Sequence, residues 1–307
     1  MKTRQIGNSD LIVSELGLGC MSLGRDERQA TDIIHKAIDS GINYLDTADL
    51  YNFGVNEEFI GRAIKSKRKD IILATKVGNR WNSDKEGWSW DPSKDYIKSA
   101  VKDSLHRLQT DYIDLYQLHG GTLEDNIDET IEAFEDLKKE GLIRYYGISS
   151  IRPNVIKEYV ERSSIVSVMM QYSIVDRRPE EVFPLLREHN ISVVCRGPVA
   201  KGVLTDKPLE FINSKIKENG YLDYSFEELS SLRNSLKQEL GSERSLTEIA
   251  LQFCLYDSIV ASVVAGASKL EQLVENVKAV TSIPLTDEQM RILRELTKAS
   301  LYEQHRI

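Results

Sequence analysis

Residues 26–48 read DERQATDIIHKAIDSGINYLDTA and contain one helical pattern followed by one strand pattern. Asp26 is placed to cap the helix, Gln29 occupies the capping-box position, and apolar residues recur on one helical face until Gly41. A β-rich run, Tyr44–Ala48, follows directly. The stretch therefore predicts a helix that packs beside the strand it precedes, which is the repeating unit of an α/β fold.

The same alternation continues along the chain and predicts eight strands. They are Val13–Cys20, Tyr44–Ala48, Ile71–Val77, Tyr112–His119, Ile143–Ser149, Val166–Tyr172, Ile191–Gly197 and Ile259–Gly266. Eight such units with right-handed crossovers close into a (β/α)8 barrel or lie open as a doubly wound sheet. No G-x-G-x-x-G motif follows the first strand, because Gly17 and Gly19 lie inside it. We therefore favour a single-domain TIM barrel over residues 1–307.

Three local patterns refine this prediction. The segments 4–6 and 11–13 flank a Gly-Asn-Ser-Asp turn and predict an N-terminal β-hairpin that plugs the bottom of the barrel. Asp91 and Pro92 predict the start of a later helix. About sixty residues, 199–258, form a long loop between strands 7 and 8, and we expect part of it to act as a lid.

Composition excludes several classes of protein. With 40 Lys and Arg against 48 Asp and Glu, the net charge of -8 offers no attraction for nucleic-acid phosphates, so we expect no nucleic-acid partner. Cys20, Cys195 and Cys254 are widely spaced in apolar runs, which is typical of core thiols in a reducing compartment. No window approaches about 18 uncharged apolar residues. The sequence thus predicts a cytoplasmic protein with no membrane partner.

Polar residues close three consecutive strand patterns. Asp46 closes the second, Lys76 the third and His119 the fourth, while Tyr51 follows Asp46 by five residues. In a parallel barrel the active site lies at the carboxyl ends of the strands. Each residue alone is more commonly a salt-bridge partner or a satisfied half-buried side chain, but their joint placement favours chemistry. The other histidines fall in predicted helices, before the seventh strand or in the tail, so we expect no metal site.

The residue types suit reduction of a carbonyl group. A tyrosine hydroxyl has a pKa of about 10, and a neighbouring cation such as Lys76 lowers the pKa of such a group toward neutrality. Asp46 would keep Lys76 charged. His119 could donate a hydrogen bond to the carbonyl oxygen on which negative charge grows during hydride attack, and one such preorganised donor is worth about 3–4 kcal/mol.

The chain resembles the aldo-keto reductase superfamily over essentially its whole length. The segments that carry the resemblance are GINYLDTADLY at 41–51 with Gly54, Asn56–Glu57 and Ile60–Gly61, TKV at 75–77, and DLYQLH at 114–119. The resemblance implies a closed barrel that reduces aldehydes or ketones with NADPH. It implies that Tyr51 is the general acid, Lys76 its pKa modulator, Asp46 the partner of Lys76, and His119 the substrate-orienting donor. Related enone reductases replace that histidine with an acid, so its retention favours carbonyl reduction.

The resemblance also implies a cofactor site. Ser149, Ser150 and Gln171 match the residues that hold the nicotinamide carboxamide, although Ser150 stands where an Asn is usual. The loop CRGPVAKG at 195–202 matches the one that covers the nicotinamide and pyrophosphate, but Arg196 replaces a stacking aromatic. A guanidinium plane also stacks, so we expect binding to survive. The implied cofactor contacts are Cys20, Met21, Ser149, Ser150, Gln171, Arg196, Gly197, Pro198, Val199, Lys201, Gly202, Gly266, Ser268, Lys269, Gln272, Glu275 and Asn276.

The stretch 266–276 resembles the adenosine site of the family. Glu275 and Asn276 fit contacts to adenine, and a helix N-terminus is a natural phosphate site. Many relatives hold the 2′-phosphate of NADPH with an Arg where Gln272 stands, which leaves Ser268 and Lys269 as candidates. NADPH is therefore our first choice and NADH the alternative. Ser268 and Glu271 also fit a plain capping box.

The substrate pocket is expected near Met21, Trp81, Trp88 and Trp90, because the aromatics follow Lys76; packing within the loop is the alternative role. The partner is then a small-molecule carbonyl compound, which the sequence does not identify, and no pattern indicates an oligomeric state. Two other functions fit the same barrel. One is a regulatory subunit such as the potassium-channel β subunits, and the other is a hydrolase or aldolase with Lys76 as a Schiff-base nucleophile.

Overall fold

The computed structural model describes residues 1–82 and 84–306. Its strands, in chain order, are β1 Thr3–Gln5, β2 Ile12–Ser14, β3 Leu16–Gly19, β4 Tyr44–Asp46, β5 Ile72–Val77, β6 Asn79–Trp81, β7 Trp88–Trp90, β8 Ile113–Leu118, β9 Ile143–Ser149, β10 Ser167–Gln171, β11 Ser192–Arg196 and β12 Val260–Gly266. Eight of them form a closed barrel in the order β3, β4, β5, β8, β9, β10, β11 and β12, and β12 pairs with β3. Every barrel pair is parallel. The expected (β/α)8 barrel is confirmed.

Helices occupy each crossover between consecutive barrel strands. They are α1 Glu27–Asp39, α2 Val55–Ile64, α3 Lys94–Leu108, α4 Ile127–Lys139, α5 Pro153–Arg162, α6 Phe183–Glu188, α7 Ser214–Asn219, α8 Phe226–Leu240, α9 Leu246–Tyr256, α10 Leu270–Thr281 and α11 Asp287–Leu296. The opening stretch of the sequence behaves as predicted, because the Asp26 side chain accepts a hydrogen bond from the Gln29 amide at the start of α1. The buried residues of α1 then face the barrel.

Two boundaries differ from the sequence prediction. The run Val13–Cys20 is split, because Ile12–Ser14 pairs with β1 and only Leu16–Gly19 enters the barrel. The helix expected to start at Asp91 and Pro92 begins at Lys94, and its cap is Ser93, whose hydroxyl accepts from the Tyr96 amide. Asp91 instead accepts hydrogen bonds from the amide and hydroxyl of Ser93.

The N-terminal hairpin closes the bottom of the barrel, as expected. β1 and β2 pair antiparallel, and the Ile6 amide donates to the Leu11 carbonyl at 2.9 Å across the turn. Ile6, Leu11 and Val13 are buried in an apolar cluster with residues of the barrel strands, among them Tyr44 and Leu115. Since apolar burial contributes about 25 cal/mol per Å², this plug stabilises the barrel and keeps water from its lower end.

The long connection between β11 and β12 folds into α7, α8 and α9 with short helical turns before them. Its segment 206–224 is joined to itself by a bridge between Tyr221 and Tyr224, whose backbone amides donate to each other's carbonyls at 2.9 and 3.1 Å. Within residues 1–82 and 84–306, no helix has both the length and the apolarity that a membrane crossing requires. The same residues contain no group of three His, Cys, Asp or Glu side chains placed to hold a metal ion.

Candidate active site

One large cavity opens at the carboxyl ends of the barrel strands, with a volume of about 1110 Å³. Asp46, Tyr51, Lys76 and His119 all line it. They arrive there because β4, β5 and β8 end side by side, with Asp46 paired to Ala74 and Val77 paired to Leu118. The strand-end placement expected from the sequence is therefore what the fold produces.

Asp46 and Lys76 form a buried ion pair in the floor of the cavity. The Lys76 ammonium donates to Asp46 Oδ1 at 2.5 Å and to the Thr47 carbonyl at 2.6 Å, and its side chain is 1% exposed. The Gln117 amide donates to the other Asp46 oxygen at 3.1 Å. Burial by itself would lower the pKa of Lys76, but the charges and hydrogen bonds of Asp46 and Tyr51 together outweigh burial and raise it. Lys76 is thus held as a cation.

Tyr51 reaches the cavity from a strained turn. Asn52, Phe53 and Gly54 follow it with φ angles of 50°, 53° and 87°, a left-handed run that only glycine adopts without cost. Gly54 is also required sterically, because a Cβ there would lie 2.7 Å from the Arg107 side chain. The turn sets the Tyr51 ring with its centroid 5.2 Å from Lys76 Nζ. The Lys76 ammonium therefore lies against the face of the Tyr51 ring.

His119 stands on the other side of the tyrosine. Its ring centroid lies 6.0 Å from that of Tyr51, with the two planes at 84°. Burial, helped by the charges of Lys76 and Arg196, lowers the pKa of His119 to about 3. The imidazole is therefore neutral at physiological pH and offers one N–H donor and one lone pair. Its Nδ1 is buried without a hydrogen-bond partner among the described residues.

A second layer of buried polar groups supports these residues, and our sequence reasoning did not anticipate it. Glu57 accepts from the Thr75 hydroxyl at 2.6 Å and from Arg107 Nε at 2.7 Å, which fixes the strand position next to Lys76. Burial raises the pKa of Asp49 to about 8, and the charge of Glu57 adds to the shift, so Asp49 is mostly protonated at pH 7. No sequence spacing signals these contacts, since Glu57 and Arg107 are 50 positions apart.

Gln171 and Arg196 lie at adjacent strand ends in the cavity wall. Arg196 Nη1 donates to Gln171 Oε1 at 3.0 Å. The amide nitrogen of Gln171 donates to Asp176 Oδ2 at 2.9 Å and to the Tyr221 hydroxyl oxygen at 3.1 Å. Asp176 is fully buried and also accepts two hydrogen bonds from Arg178. Ser149 and Ser150 line the same part of the cavity.

The loop after β11 curls around the cavity in a second strained conformation. Gly197, Ala200, Lys201 and Gly202 all have positive φ, between 48° and 94°. The members of this loop that line the cavity are Gly197, Pro198, Val199, Lys201 and Gly202. Arg196, at the end of β11, lines it with them. The loop therefore brings one charged amine and several backbone groups to the middle of the cavity.

The far end of the cavity is built by the start of α10. Gln272 Oε1 accepts from the amide and hydroxyl of Ser268 at 2.8 and 3.0 Å, so the alternative capping box with Glu271 is absent and Lys269 takes the N-cap position. Glu275 Oε1 accepts from the Thr247 hydroxyl at 2.6 Å. Gly266, Ser268, Gln272, Glu275 and Asn276 line the cavity here.

Two of the expected cofactor residues lie off the cavity wall. Cys20 directly follows β3, and its side chain is fully buried. Its carbonyl accepts from Asn56 Nδ2 at 2.8 Å, which links the barrel to α2. Lys269 is an exposed residue next to the cavity-lining Ser268.

The expected substrate residues divide into two groups. Met21, Trp88 and Trp90 line the cavity, and Met21 is 65% exposed at its mouth. Trp81 belongs to the same hairpin, but its ring packs beside Phe53 at 6.2 Å and under the Arg107 guanidinium at 5.2 Å. Trp81 therefore does not line the cavity and packs against Phe53 and Arg107, which lie outside the loop that follows Lys76.

Sequence reasoning missed other residues of the cavity wall. These include Leu50, Asn79, Thr122, Ile151, Arg152, Met169, Lys207, Phe211, Ile212 and Tyr221. Phe211 and Ile212 gave a usable signal, because they are two adjacent apolar residues in a segment otherwise rich in charge, and Phe211 is 80% exposed. Exposed apolar side chains beside a cavity mark a binding surface.

Comparison with known proteins gives the family. The profile of the Aldo/keto reductase family matches residues 15–298. The chain belongs to this family. An uncharacterized oxidoreductase of Bacillus subtilis (strain 168), YqkF, is 63% identical and covers 100% of each chain. Among solved structures, the holo form of the aldo-keto reductase AKR11C1 from Bacillus halodurans is 64% identical, with a TM-score of 0.95 and 100% coverage of each chain.

A third relative is less similar in sequence. The NADH-specific methylglyoxal reductase of Escherichia coli (strain K12) is 30% identical, over 97% of this chain and 99% of that protein. The aldo/keto reductase described here is therefore an oxidoreductase of a family whose members use nicotinamide cofactors. Its barrel and the position of its cavity agree with that membership.

Proposed function

We propose that this aldo/keto reductase transfers hydride from NADPH to the carbonyl carbon of an aldehyde or ketone, yielding an alcohol in a reversible reaction. The observation that carries the proposal is that Asp46, Tyr51, Lys76 and His119 share one cavity, with Lys76 paired to Asp46 and 5.2 Å from the Tyr51 ring. This arrangement supplies a proton donor and a hydrogen-bond donor for one oxygen. The free, buried cysteines fit a reducing compartment, and we propose the cytoplasm.

Each of the four side chains has a separate role in the reduction of the carbonyl group. When bound, the reduced nicotinamide would supply the hydride, and the π electrons of the C=O bond would move to the carbonyl oxygen. Tyr51 gives its hydroxyl proton to that oxygen, while the neutral His119 donates a hydrogen bond to it. The Lys76 ammonium stabilises the phenolate that Tyr51 leaves behind, and Asp46 keeps Lys76 charged. Water then returns a proton to Tyr51.

The donor set around the cavity suits a dinucleotide. A volume of about 1110 Å³ exceeds the 300–1,000 Å³ of most small-ligand pockets and leaves room for a substrate beside the cofactor. Amide and hydroxyl groups of Ser149 and Gln171 would hold the carboxamide. Lys201 and the loop backbone would hold the pyrophosphate, and Glu275 and Asn276 the adenine. Gly202 leaves open space where a Cβ would project, as a close-approaching phosphate requires.

NADPH is the proposed donor and NADH the alternative. In support of NADPH, the Ser268 hydroxyl and the exposed Lys269 stand at the start of α10, where the helix dipole favours an anion. Gln272 is neutral and already accepts from Ser268, so it adds no charge for a 2′-phosphate. Because the Escherichia coli relative is NADH-specific, NADH is tested as the alternative donor.

The test is oxidation of NADPH and NADH in the presence of a panel of aldehydes and ketones, with wild-type protein and Tyr51→Phe. We expect turnover with the wild type, and a kcat lowered by about 10²–10⁴ in the variant because the general acid is missing. Tyr112→Phe is the matched control, since Tyr112 precedes β8 at the opposite end of the barrel. Its kcat should equal that of the wild type.

Three results would contradict parts of the proposal. If neither NADPH nor NADH bound, the proposed use of a nicotinamide cofactor would be wrong. If Tyr51→Phe retained full turnover, the proposed role of Tyr51 as general acid would be wrong. Tight NADPH binding without turnover of any carbonyl compound would favour a regulatory barrel. An aldolase or hydrolase using a Lys76 Schiff base is opposed by the buried ion pair, because such a nucleophile must lose its proton.

A further inference from the structure

The segment that follows α11, residues 298–306, has no regular secondary structure but is fixed to the barrel. Its Tyr302 side chain is buried, with 4% of its surface exposed. Three residues further on, the His305 carbonyl accepts a hydrogen bond from the Asn154 amide at 2.9 Å, at the start of α5. The segment is therefore part of the packed structure, and its buried ring has a defined neighbour.

That neighbour is Arg178, whose guanidinium carbon lies 4.9 Å from the centroid of the Tyr302 ring. On its other side Arg178 donates from Nε and Nη2 to the two oxygens of Asp176, at 2.7 and 2.9 Å. A ring stacked on a guanidinium restricts the plane of the group and replaces water on one face. The Tyr302 hydroxyl has no hydrogen-bond partner among the described residues, so the ring is the part that acts.

Asp176 determines which end of the Gln171 amide faces the cavity. Asp176 is fully buried, and its Oδ2 accepts from Gln171 Nε2 at 2.9 Å. The second hydrogen of this nitrogen goes to the Tyr221 hydroxyl oxygen at 3.1 Å. Since an amide nitrogen carries two hydrogens, only Gln171 Oε1 is left for the cavity. This oxygen accepts from Arg196 at 3.0 Å and keeps a second lone pair.

The other acceptor of the Gln171 amide is supported by the same segment. Tyr221 is paired through its backbone with Tyr224. The Tyr224 hydroxyl accepts from the Lys298 amide at 2.6 Å, and the Lys298 ammonium lies 4.6 Å from the centroid of the Tyr224 ring. Both groups that hold the nitrogen of Gln171 are thus backed by residues that follow α11.

We propose that Tyr302 is a positioning residue for the cofactor, which fixes Gln171 as the acceptor of a hydrogen bond from the carboxamide N–H of the nicotinamide. It acts through Arg178 and Asp176. The inference rests on the proposed function, which puts the carboxamide beside Gln171. Without the ring, water reaches the guanidinium, the pairing with Asp176 loosens, and the Gln171 amide is free to turn over. Its N–H groups would then face those of the carboxamide, and that hydrogen bond would be lost.

The experiment is a calorimetric titration of NADPH and of 2′-phospho-ADP-ribose, which is NADPH without its nicotinamide, into wild type and Tyr302→Leu. We expect the Kd of NADPH to rise about fivefold to tenfold in the variant, as for loss of one hydrogen bond, and that of the nicotinamide-free ligand to stay unchanged. Tyr302→Phe keeps the ring and should restore the wild-type Kd. Leu301→Ala is the matched control on the neighbouring residue, which is 51% exposed, and should change neither Kd.

A double variant tests whether the effect passes through Gln171. Tyr302→Leu combined with Gln171→Ala should bind NADPH no more weakly than Gln171→Ala alone, because the group that Tyr302 positions is already missing. Additive effects of the two substitutions would overturn the proposal.

Thermal unfolding of each variant accompanies the titrations. If Tyr302→Leu is unfolded, Arg178→Lys replaces it, because this substitution keeps the charge beside Asp176 but lacks the planar fork. It should also weaken NADPH alone. Equal weakening of both ligands in a folded variant would overturn the proposal, as would an unchanged Kd for NADPH. In either case wild type would still bind NADPH, so the proposed function would stand; if wild type did not bind NADPH, the proposed function would fail first.

Discussion

The two ends of the barrel are built from the same strands, but apolar side chains fill one end and charged and polar side chains fill the other. At the bottom, Ile6, Leu11 and Val13 of the hairpin meet apolar side chains of the strands. At the top, Asp46 and Lys76 are as deeply buried as those apolar residues. Burial of apolar groups stabilises the fold, whereas burial of charges costs free energy that their pairing only partly offsets.

The difference separates the residues that hold the barrel together from those that act in it. Polar side chains at the top are kept at a cost to stability, and the Asp46 carboxylate is held by specific partners, Lys76 and Gln117. The bottom needs only shape and hydrophobicity. Substitutions at the two ends should therefore affect different measurements.

The largest effect is expected from the buried pair at the top. Asp46→Asn leaves the Lys76 charge without its partner, which should lower the free energy of unfolding by about 3–5 kcal/mol and abolish most activity. The double variant Asp46→Asn, Lys76→Met should recover most of that stability while remaining inactive. Urea unfolding and NADPH oxidation measure the two quantities.

Recovery of activity together with stability in the double variant would contradict this separation. It would mean that the Asp46 and Lys76 pair is needed only for folding. A double variant as unstable as the single one would instead show that packing, and not the unpaired charge, is what Asp46→Asn disturbs.

The bottom should respond in the opposite way. Leu11→Ala removes a side chain that is 1% exposed, so it should lower the free energy of unfolding by about 2–5 kcal/mol and leave kcat/KM unchanged. Ile12→Ala is the matched control on the neighbouring residue, which is 46% exposed and should cost less than about 0.5 kcal/mol. A fall in kcat/KM for a folded Leu11→Ala variant would show that the two ends of the barrel are energetically coupled.

A smaller effect should appear with pH at the top. The pKa of His119 is lowered from 6.5 to about 3. Below pH 6.5 the unfolded chain therefore takes up a proton that the folded chain refuses, and the free energy of unfolding falls by about 1.4 kcal/mol per pH unit until about pH 3. Between pH 6.5 and pH 5 this amounts to about 2 kcal/mol.

His119→Gln lacks the imidazole. The difference in the free energy of unfolding between variant and wild type should therefore change by about 2 kcal/mol between pH 7 and pH 5. Denaturant unfolding at the two pH values measures it. Parallel curves for wild type and variant would indicate that the imidazole is protonated as easily in the folded chain as in water.

The strands and the catalytic group could be predicted because they depend on local signals. Apolar runs alternate with helical periods, and Asp46, Lys76 and His119 come at the ends of such runs. The split of the run 13–20 could not be predicted. Ser14 ends a strand that pairs with β1, and its amide donates to the Asn43 side-chain oxygen at 2.7 Å, a contact between residues 29 positions apart.

The packing of the Trp81 side chain also could not be predicted from the sequence. It lies outside the cavity wall, and Arg107 of α3 lies against its ring. Arg107 is held there by Glu57, which is also the residue that fixes Thr75. These contacts join four separate elements, β6, α3, α2 and β5, and the periodicity of one element carries no information about its contacts with the others.

The hairpin of β6 and β7 has one more consequence. It contains Trp81, Trp88 and Trp90, and the chain has 3 tryptophans in total. The tryptophan fluorescence of the whole protein therefore originates from one hairpin beside the cavity. Because a reduced nicotinamide absorbs where tryptophan emits, energy transfer from this hairpin would report cofactor occupancy in the unlabelled, unmodified protein.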